Sequence, residues 1–383
     1  MKRVSRIDEL LADVEAHLKD GVLQVKEASE KGRPIVGTYC TFAPWELITA
    51  AGAIPATLCA RGEDPITAAE EHLPRNLCPL IKSSYGYALT DKCPYFHFCD
   101  MVIAESTCDG KKKMYELMSR MKPLHLMMLP QTAEGDGSRS AWRAELDRLK
   151  DGLERAFDVS INDGAISERI SLRNRERLAL KSLWELSRLD PPAITGREQF
   201  LISEYCEFHF HKEDLVPWLE NLVSQIREAY DLGERRVCKD APRILITGCP
   251  LGGAQKVIHA IEDAGAVVVC YENCGGVKEL GFLVDEDRPP MEALTDKYLN
   301  VGCSVMTPNT SRMDNLKKLI ENYSVDGVVE VVLQACHTYA VETYEVRELV
   351  RSTGRPYMSV ETDYSKSDIG QLSTRIGAFL EML

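Results

Sequence analysis

Thirteen cysteines in 383 residues are the chemical anomaly of this chain. Cys40, Cys59, Cys78, Cys93, Cys108, Cys249, Cys274, Cys303 and Cys336 follow short apolar runs or lie in turns, where a thiol is open to chemistry. Cys206, Cys238 and Cys270 sit in helical or apolar contexts and read as fillers, since a thiol packs as a small hydrophobe. No C-x-x-C occurs in the chain, which weakens zinc-ribbon and thioredoxin-type readings. Isolated cysteines from separate loops suit an iron–sulfur cluster, whose thiolate ligands converge in space without being close in sequence.

The elements that would position these thiols can be read from hydrophobic pattern. Met101–Ala104 is an apolar run short enough for a buried parallel strand, followed by a turn through Glu105–Gly110 that carries Cys108. A helix is expected from Lys111 through Met121, with Met114, Leu117 and Met121 on one face. The same plan recurs. Pro34–Tyr39 reads as a strand ending on Cys40, with Pro44 opening a helix, and Ile54–Leu58 ends at Cys59. Cys78 stands at a helix start, Asp91–Phe96 reads as a loop, and Leu124–Leu129 reads as a fourth strand. From Ser140 to about Leu232 the pattern is helical, led by Trp142, Leu146, Leu149, Leu153 and Phe157. His209 and His211 would not share a helix face, which argues against a metal pair. A second set of strands then ends on Cys249, on Glu272–Cys274, on Cys336 and on Glu361–Asp363, while Cys303 lies in a loop.

The expected fold is α/β, with two similar Rossmann- or flavodoxin-like parallel-sheet domains, a helical segment between them and an N-terminal helix. The expected boundaries are 1–32 (N-terminal helical segment), 33–138 (first cluster-binding domain), 139–238 (helical segment) and 239–383 (second cluster-binding domain). Right-handed crossovers put the strand ends of each sheet on one edge, where open α/β sheets place their ligands. Two such edges facing each other would pool their cysteines in one cleft.

Composition narrows the class. Lys plus Arg number 46 against 59 Asp plus Glu, a net charge of −13, which argues against a nucleic-acid partner. No run approaches the roughly 18 apolar residues of a membrane span, and the first 20 residues read as an amphipathic helix, not a signal peptide. A cytoplasmic location is expected, where thiols stay reduced and a disulfide framework is not.

The strings TYCTFAPWEL around Cys40, NLCPLIKSSYGY around Cys78, ESTCDGKKKMYELM around Cys108 and QACHTYAVE around Cys336 resemble the 2-hydroxyacyl-CoA dehydratase / benzoyl-CoA reductase superfamily. The resemblance runs along nearly the whole chain, to the final VETDYSKSDIGQLSTR. Within that superfamily, cysteines in both α/β halves of one chain look closest to the double-cubane cluster proteins. The resemblance then implies an 8Fe–9S cluster, two 4Fe–4S cubanes joined by a sulfide, in a homodimer. Low-potential electrons would come from a separate ATP-hydrolysing activator with its own 4Fe–4S cluster. About six thiolates are needed, three per cubane. By resemblance Cys78, Cys108 and Cys336 match dehydratase ligand positions, and Cys274, Cys303 and Cys40 complete the set. Cys93 and Cys249 are reserves, and Cys59 is assigned to structure.

The implied function is an iron–sulfur reductase acting on a small molecule. Gly248–Lys256 lacks the G-x-x-x-x-G-K-S/T spacing, in keeping with an ATPase on a partner. The alternative is a 2-hydroxyacyl-CoA dehydratase subunit, a lyase with one 4Fe–4S cluster and a dissimilar partner subunit. A third reading is an electron carrier without turnover. His337, beside Cys336, and Glu361, at a strand end, are the acid–base candidates, and Asp363 could relay protons or cap the next segment. Lys111, Lys112 and Lys113 either form a solvated helix start, or dock the activator, or balance an anionic cluster.

Overall fold

The computed structural model describes residues 5–383, apart from the side chain of Glu279. In chain order come α1 (Arg6–His17), α2 (Asp20–Glu30), β1 (Ile35–Thr38), α3 (Trp45–Ala50), β2 (Ile54–Thr57), α4 (Ile66–Ala69), α5 (Pro79–Leu89) and α6 (Pro94–Phe98). Next are β3 (Met101–Glu105), α7 (Asp109–Met118) and β4 (Leu124–Met127). Four longer helices follow: α8 (Asp136–Phe157), α9 (Asp163–Glu185), α10 (Gly196–Phe208) and α11 (Lys212–Asp231). The chain continues through β5 (Arg243–Gly248), α12 (Lys256–Asp263), β6 (Val267–Glu272), α13 (Pro290–Leu299) and α14 (Thr310–Asn322). It closes with β7 (Gly327–Leu333), α15 (His337–Ser352), β8 (Tyr357–Thr362) and α16 (Ile369–Leu380).

Strand order is β2-β1-β3-β4 in one sheet and β6-β5-β7-β8 in the other, and every pairing is parallel. The expected α/β architecture with two similar parallel sheets is therefore what the chain forms. In each sheet the chain moves outward from one central strand, then returns to pair its other side. The reversal lies between β1 and β3, and between β5 and β7. The carboxyl ends flanking such a reversal form the natural ligand crevice of an open α/β sheet.

The chain forms two compact units. The β1–β4 unit comprises residues 20–175 and 282–312; the β5–β8 unit comprises residues 1–19, 176–281 and 313–383. In the β1–β4 unit, Trp142, Leu146, Leu149 and Leu153 of α8 are buried in one core with Val36 and Ile103 of the sheet. Each such leucine contributes about 2 kcal/mol by leaving water. Residues 282–312 join this core through Met291, Leu294, Tyr298 and Met306. Polar bonds fix the segment: Tyr298 donates its hydroxyl to Glu46 Oε2 at 2.7 Å, Arg139 Nε donates to Asp296 Oδ1 at 2.6 Å, and Asn174 Nδ2 donates to the Val284 carbonyl at 2.8 Å.

In the β5–β8 unit, β7 is buried along its whole length, as expected of a strand covered on both faces, and it carries Glu330 buried at its centre. Gly248 ends β5 with a φ of 104°, and a Cβ there would lie 2.2 Å from the Val331 carbonyl oxygen. Only glycine lets β5 and β7 close at this point. α1 begins at Ser5, whose hydroxyl accepts the Asp8 amide, and buries Ile7, Leu11 and Val14.

Three local expectations are corrected. α7 begins at Asp109 and ends at Met118, so Met121 lies beyond it. Its buried stripe is Lys111, Met114, Tyr115 and Met118, not Met114, Leu117 and Met121, because the face at i, i+3, i+4 and i+7 from Lys111 is the one turned to the core. Part of Asp91–Phe96 is helical: Cys93 accepts the Phe96 amide, Pro94 takes the first helical position, and α6 forms. The strand expected over Leu124–Leu129 stops at Met127, and the Leu129 amide donates to Ser106 Oγ at 2.9 Å.

Candidate metal centre

The first turn of α7 is the hub of the β1–β4 unit. Cys108 is its cap residue, in extended conformation directly after the turn that leaves β3. Cys40 follows β1, the strand on the other side of the chain reversal, and Lys111 Nζ donates to its sulfur at 3.1 Å. Cys78 caps α5. A Cβ built on Gly110 would meet Ile81 Cδ1 at 2.8 Å and Leu77 Cδ1 at 3.1 Å, so the residues bracketing Cys78 press on the same turn of α7. Cys303 packs against the core that also carries Cys40. Its loop is tied to the segment after β4 by the Thr307 amide, which donates to the Gln131 carbonyl at 2.8 Å. Cys40, Cys78, Cys108 and Cys303 thus belong to one unit, at or beside the carboxyl edge of its sheet.

The surroundings of these thiols are buried and polar. Lys111 is 8% exposed. Burial disfavours its charge, yet Cys40, Tyr115 and Cys59 outweigh that cost and hold the ammonium well above its ordinary range. Glu105, the last residue of β3, is fully buried, and its carboxylate oxygens lack a hydrogen-bond partner among the described residues. Burial pushes its carboxyl up to about 8, against the pull of Lys111. The Tyr115 hydroxyl and Thr107 Oγ1 are likewise buried without a hydrogen-bond partner among the described residues. Tyr39 and Tyr115 pack with ring centroids 5.4 Å apart, and Cys59 donates to the Tyr39 carbonyl at 2.6 Å. Buried polar atoms left unpaired are costly.

Lys111 shows what the sequence left open among the three lysines. Lys112 pairs with Asp109 at 2.8 Å and Lys113 pairs with Glu116 on the exposed surface; Lys111 turns inward. The signal was available in the sequence, since Lys111, Met114, Tyr115 and Met118 share the i, i+3, i+4, i+7 stripe of a buried helix face.

In the β5–β8 unit, Cys336 follows β7 as the cap of α15. Ala335 before it adopts a φ of 56°, a left-handed conformation disfavoured for a residue with a Cβ. Cys336 Sγ lies 3.9 Å from Thr338 Oγ1. Cys274 lies in the turn after β6 and is half-buried. His337 is exposed as the first residue of α15, and Glu361 is exposed in β8, paired in register with Val332. Cys249 is 1% exposed, and its sulfur accepts the Leu333 amide at 3.3 Å. Cys93 is likewise engaged as the cap of α6, and burial raises its thiol pKa. Of the cysteines read as fillers, Cys206 and Cys270 are buried as small hydrophobes, whereas Cys238 is exposed.

The thiols come from separate elements, a donor set an iron–sulfur group could use. Among the described residues, no three His, Cys, Asp or Glu side chains gather closely enough to hold one metal ion. A cube of iron and sulfide instead takes its thiolates from around its whole perimeter. Lys111 on the Cys40 sulfur and the helix N-termini at Cys78 and Cys108 favour bound negative charge.

A family model described as 2-hydroxyglutaryl-CoA dehydratase, D-component, matches residues 40–383, a span that includes all six candidate ligands. The chain is 50% identical over 365 residues to the putative dehydratase subunit YjiM of Escherichia coli K12, covering 95% of each chain. It is 19% identical over 367 residues to the (R)-phenyllactyl-CoA dehydratase beta subunit of Clostridium sporogenes, covering 94% of each. It is 21% identical over 376 residues to a benzoyl-CoA reductase subunit of Thauera aromatica, covering 94% of this chain and 93% of that one.

Proposed function

This chain belongs to the 2-hydroxyglutaryl-CoA dehydratase D-component family, and we propose that it is an iron–sulfur reductase holding an 8Fe–9S double-cubane cluster. The proposed ligands are Cys40, Cys78, Cys108, Cys274, Cys303 and Cys336. The observation that carries the reading is the number and placement of these thiols. Four belong to the β1–β4 unit, and Cys274 and Cys336 add two more in the β5–β8 unit. That is more than one 4Fe–4S cluster uses. The remaining partners in the proposal are a second copy of the chain, a small-molecule substrate and an ATP-hydrolysing 4Fe–4S activator, all in the cytoplasm.

The cluster supplies one-electron reducing power at low potential. The chain's own residues do the rest. Thiolates at strand ends and helix caps hold the group; the apolar core shared by Cys40 and Cys303 keeps water from it. Lys111 places a positive charge and an N–H on the Cys40 sulfur. His337 and Glu361, exposed at the ends of β7 and β8, are the proposed sources of protons.

A second reading, a dehydratase subunit with one 4Fe–4S cluster, is favoured by the names of its relatives as dehydratase subunits and by the four thiols within one unit. The two are separated by mixing the anaerobic protein with an ATP-hydrolysing low-potential activator. The reductase reading expects the chain's visible iron–sulfur absorbance to bleach only while ATP is hydrolysed, with the chain alone sufficient. Turnover of a 2-hydroxyacyl-CoA thioester that appears only on adding a dissimilar subunit would establish the second reading instead.

A further inference from the structure

We propose that Lys111 is a positioning residue that sets the reduction potential of the centre through the Cys40 sulfur; the inference rests on Cys40 being a cluster ligand. Lys111 is the inward-facing member of a lysine triplet and its Nζ lies 3.1 Å from Cys40 Sγ. The carboxylates of α7 are engaged elsewhere: Asp109 binds Lys112 and Glu116 binds Lys113. The buried ammonium is therefore directed at a sulfur. Burying a lysine is costly unless its charge is matched. A thiolate carrying part of the charge of an anionic cluster matches it, and an N–H donated to a ligand sulfur stabilises the more electron-rich state.

The position also explains why one turn carries both functions. Cys108 caps α7 while Lys111, one turn on, reaches across the chain reversal to the thiol that follows β1. A lysine at a helix N-terminus opposes the helix dipole, so its place here needs a compensating anion, and Cys40 is the group at its tip.

The test compares the wild-type full chain with K111M, K111R and C40S, each assembled without oxygen, by iron content and by redox titration followed spectroscopically. K111M is expected to keep its iron while its midpoint moves to more negative potential. At the wild-type midpoint its reduced-to-oxidised ratio falls about tenfold, the loss of one hydrogen bond to a charged group. K111R, retaining charge and donors, restores most of the shift. C40S is expected to lose iron. A fully loaded K111M titrating at the wild-type midpoint, beside an iron-depleted C40S, overturns the role of Lys111 and leaves the ligand reading intact. Full iron in C40S overturns the ligand reading, and this inference with it. Should K111M not take up iron, K111R decides: restored iron and potential support the bond, whereas loss in both assigns Lys111 to packing and overturns the proposal.

Discussion

Replacing Cys108 by serine is expected to lower the iron held per chain by about half or more, since one of about three thiolates on a cubane is lost. The fold should survive. Serine is nearly isosteric, it is a good helix cap, and Cys108 stands at the cap position of α7 without a side-chain cap bond. The same exchange at exposed Cys238 is the control and should leave iron unchanged. Anaerobic purification followed by iron assay checks both. Equal iron in C108S and C238S would remove Cys108, and with it the α7 turn, from the ligand set.

Glu105→Gln is expected to change how stability depends on pH. The carboxyl is buried and its pKa is pushed from 4.5 to about 8, chiefly by desolvation. The folded protein therefore holds a proton that the unfolded chain gives up from about pH 4.5 upward. The contribution of Glu105 to stability is then greatest in acid and falls as pH rises through this window, levelling off above about pH 8. Glutamine keeps the shape and cannot ionise. At pH 9 the variant should be more stable by about 3–5 kcal/mol, and near pH 4.5 by little. Urea midpoints at the two pH values measure the difference. Parallel pH profiles for the two proteins would contradict the buried, proton-holding state of Glu105.

The reading from sequence succeeded where local pattern decides structure. The strands β3, β5 and β7 are apolar along most of their length because both faces of each strand are covered. The thiol after each could be placed by counting from the end of the run. What local pattern does not encode is contact between distant segments. Cys303 packs on the core that carries Cys40 because Tyr298, Asp296 and Val284 bond to Glu46, Arg139 and Asn174, and no periodicity announces such bonds. Likewise the burial of Tyr115 and Lys111 arises from the packing of α7 against α5 and β4, although the helical stripe that turns Lys111 inward was present in the sequence. The short α6 was missed because five residues give too little periodicity to recognise.

The most direct test of the central claim is iron and acid-labile sulfide per chain in protein purified without oxygen. A double-cubane centre gives about eight irons and slightly more sulfide than iron. About four irons with equal sulfide would contradict it and establish a single 4Fe–4S cluster, the composition of a dehydratase-type subunit.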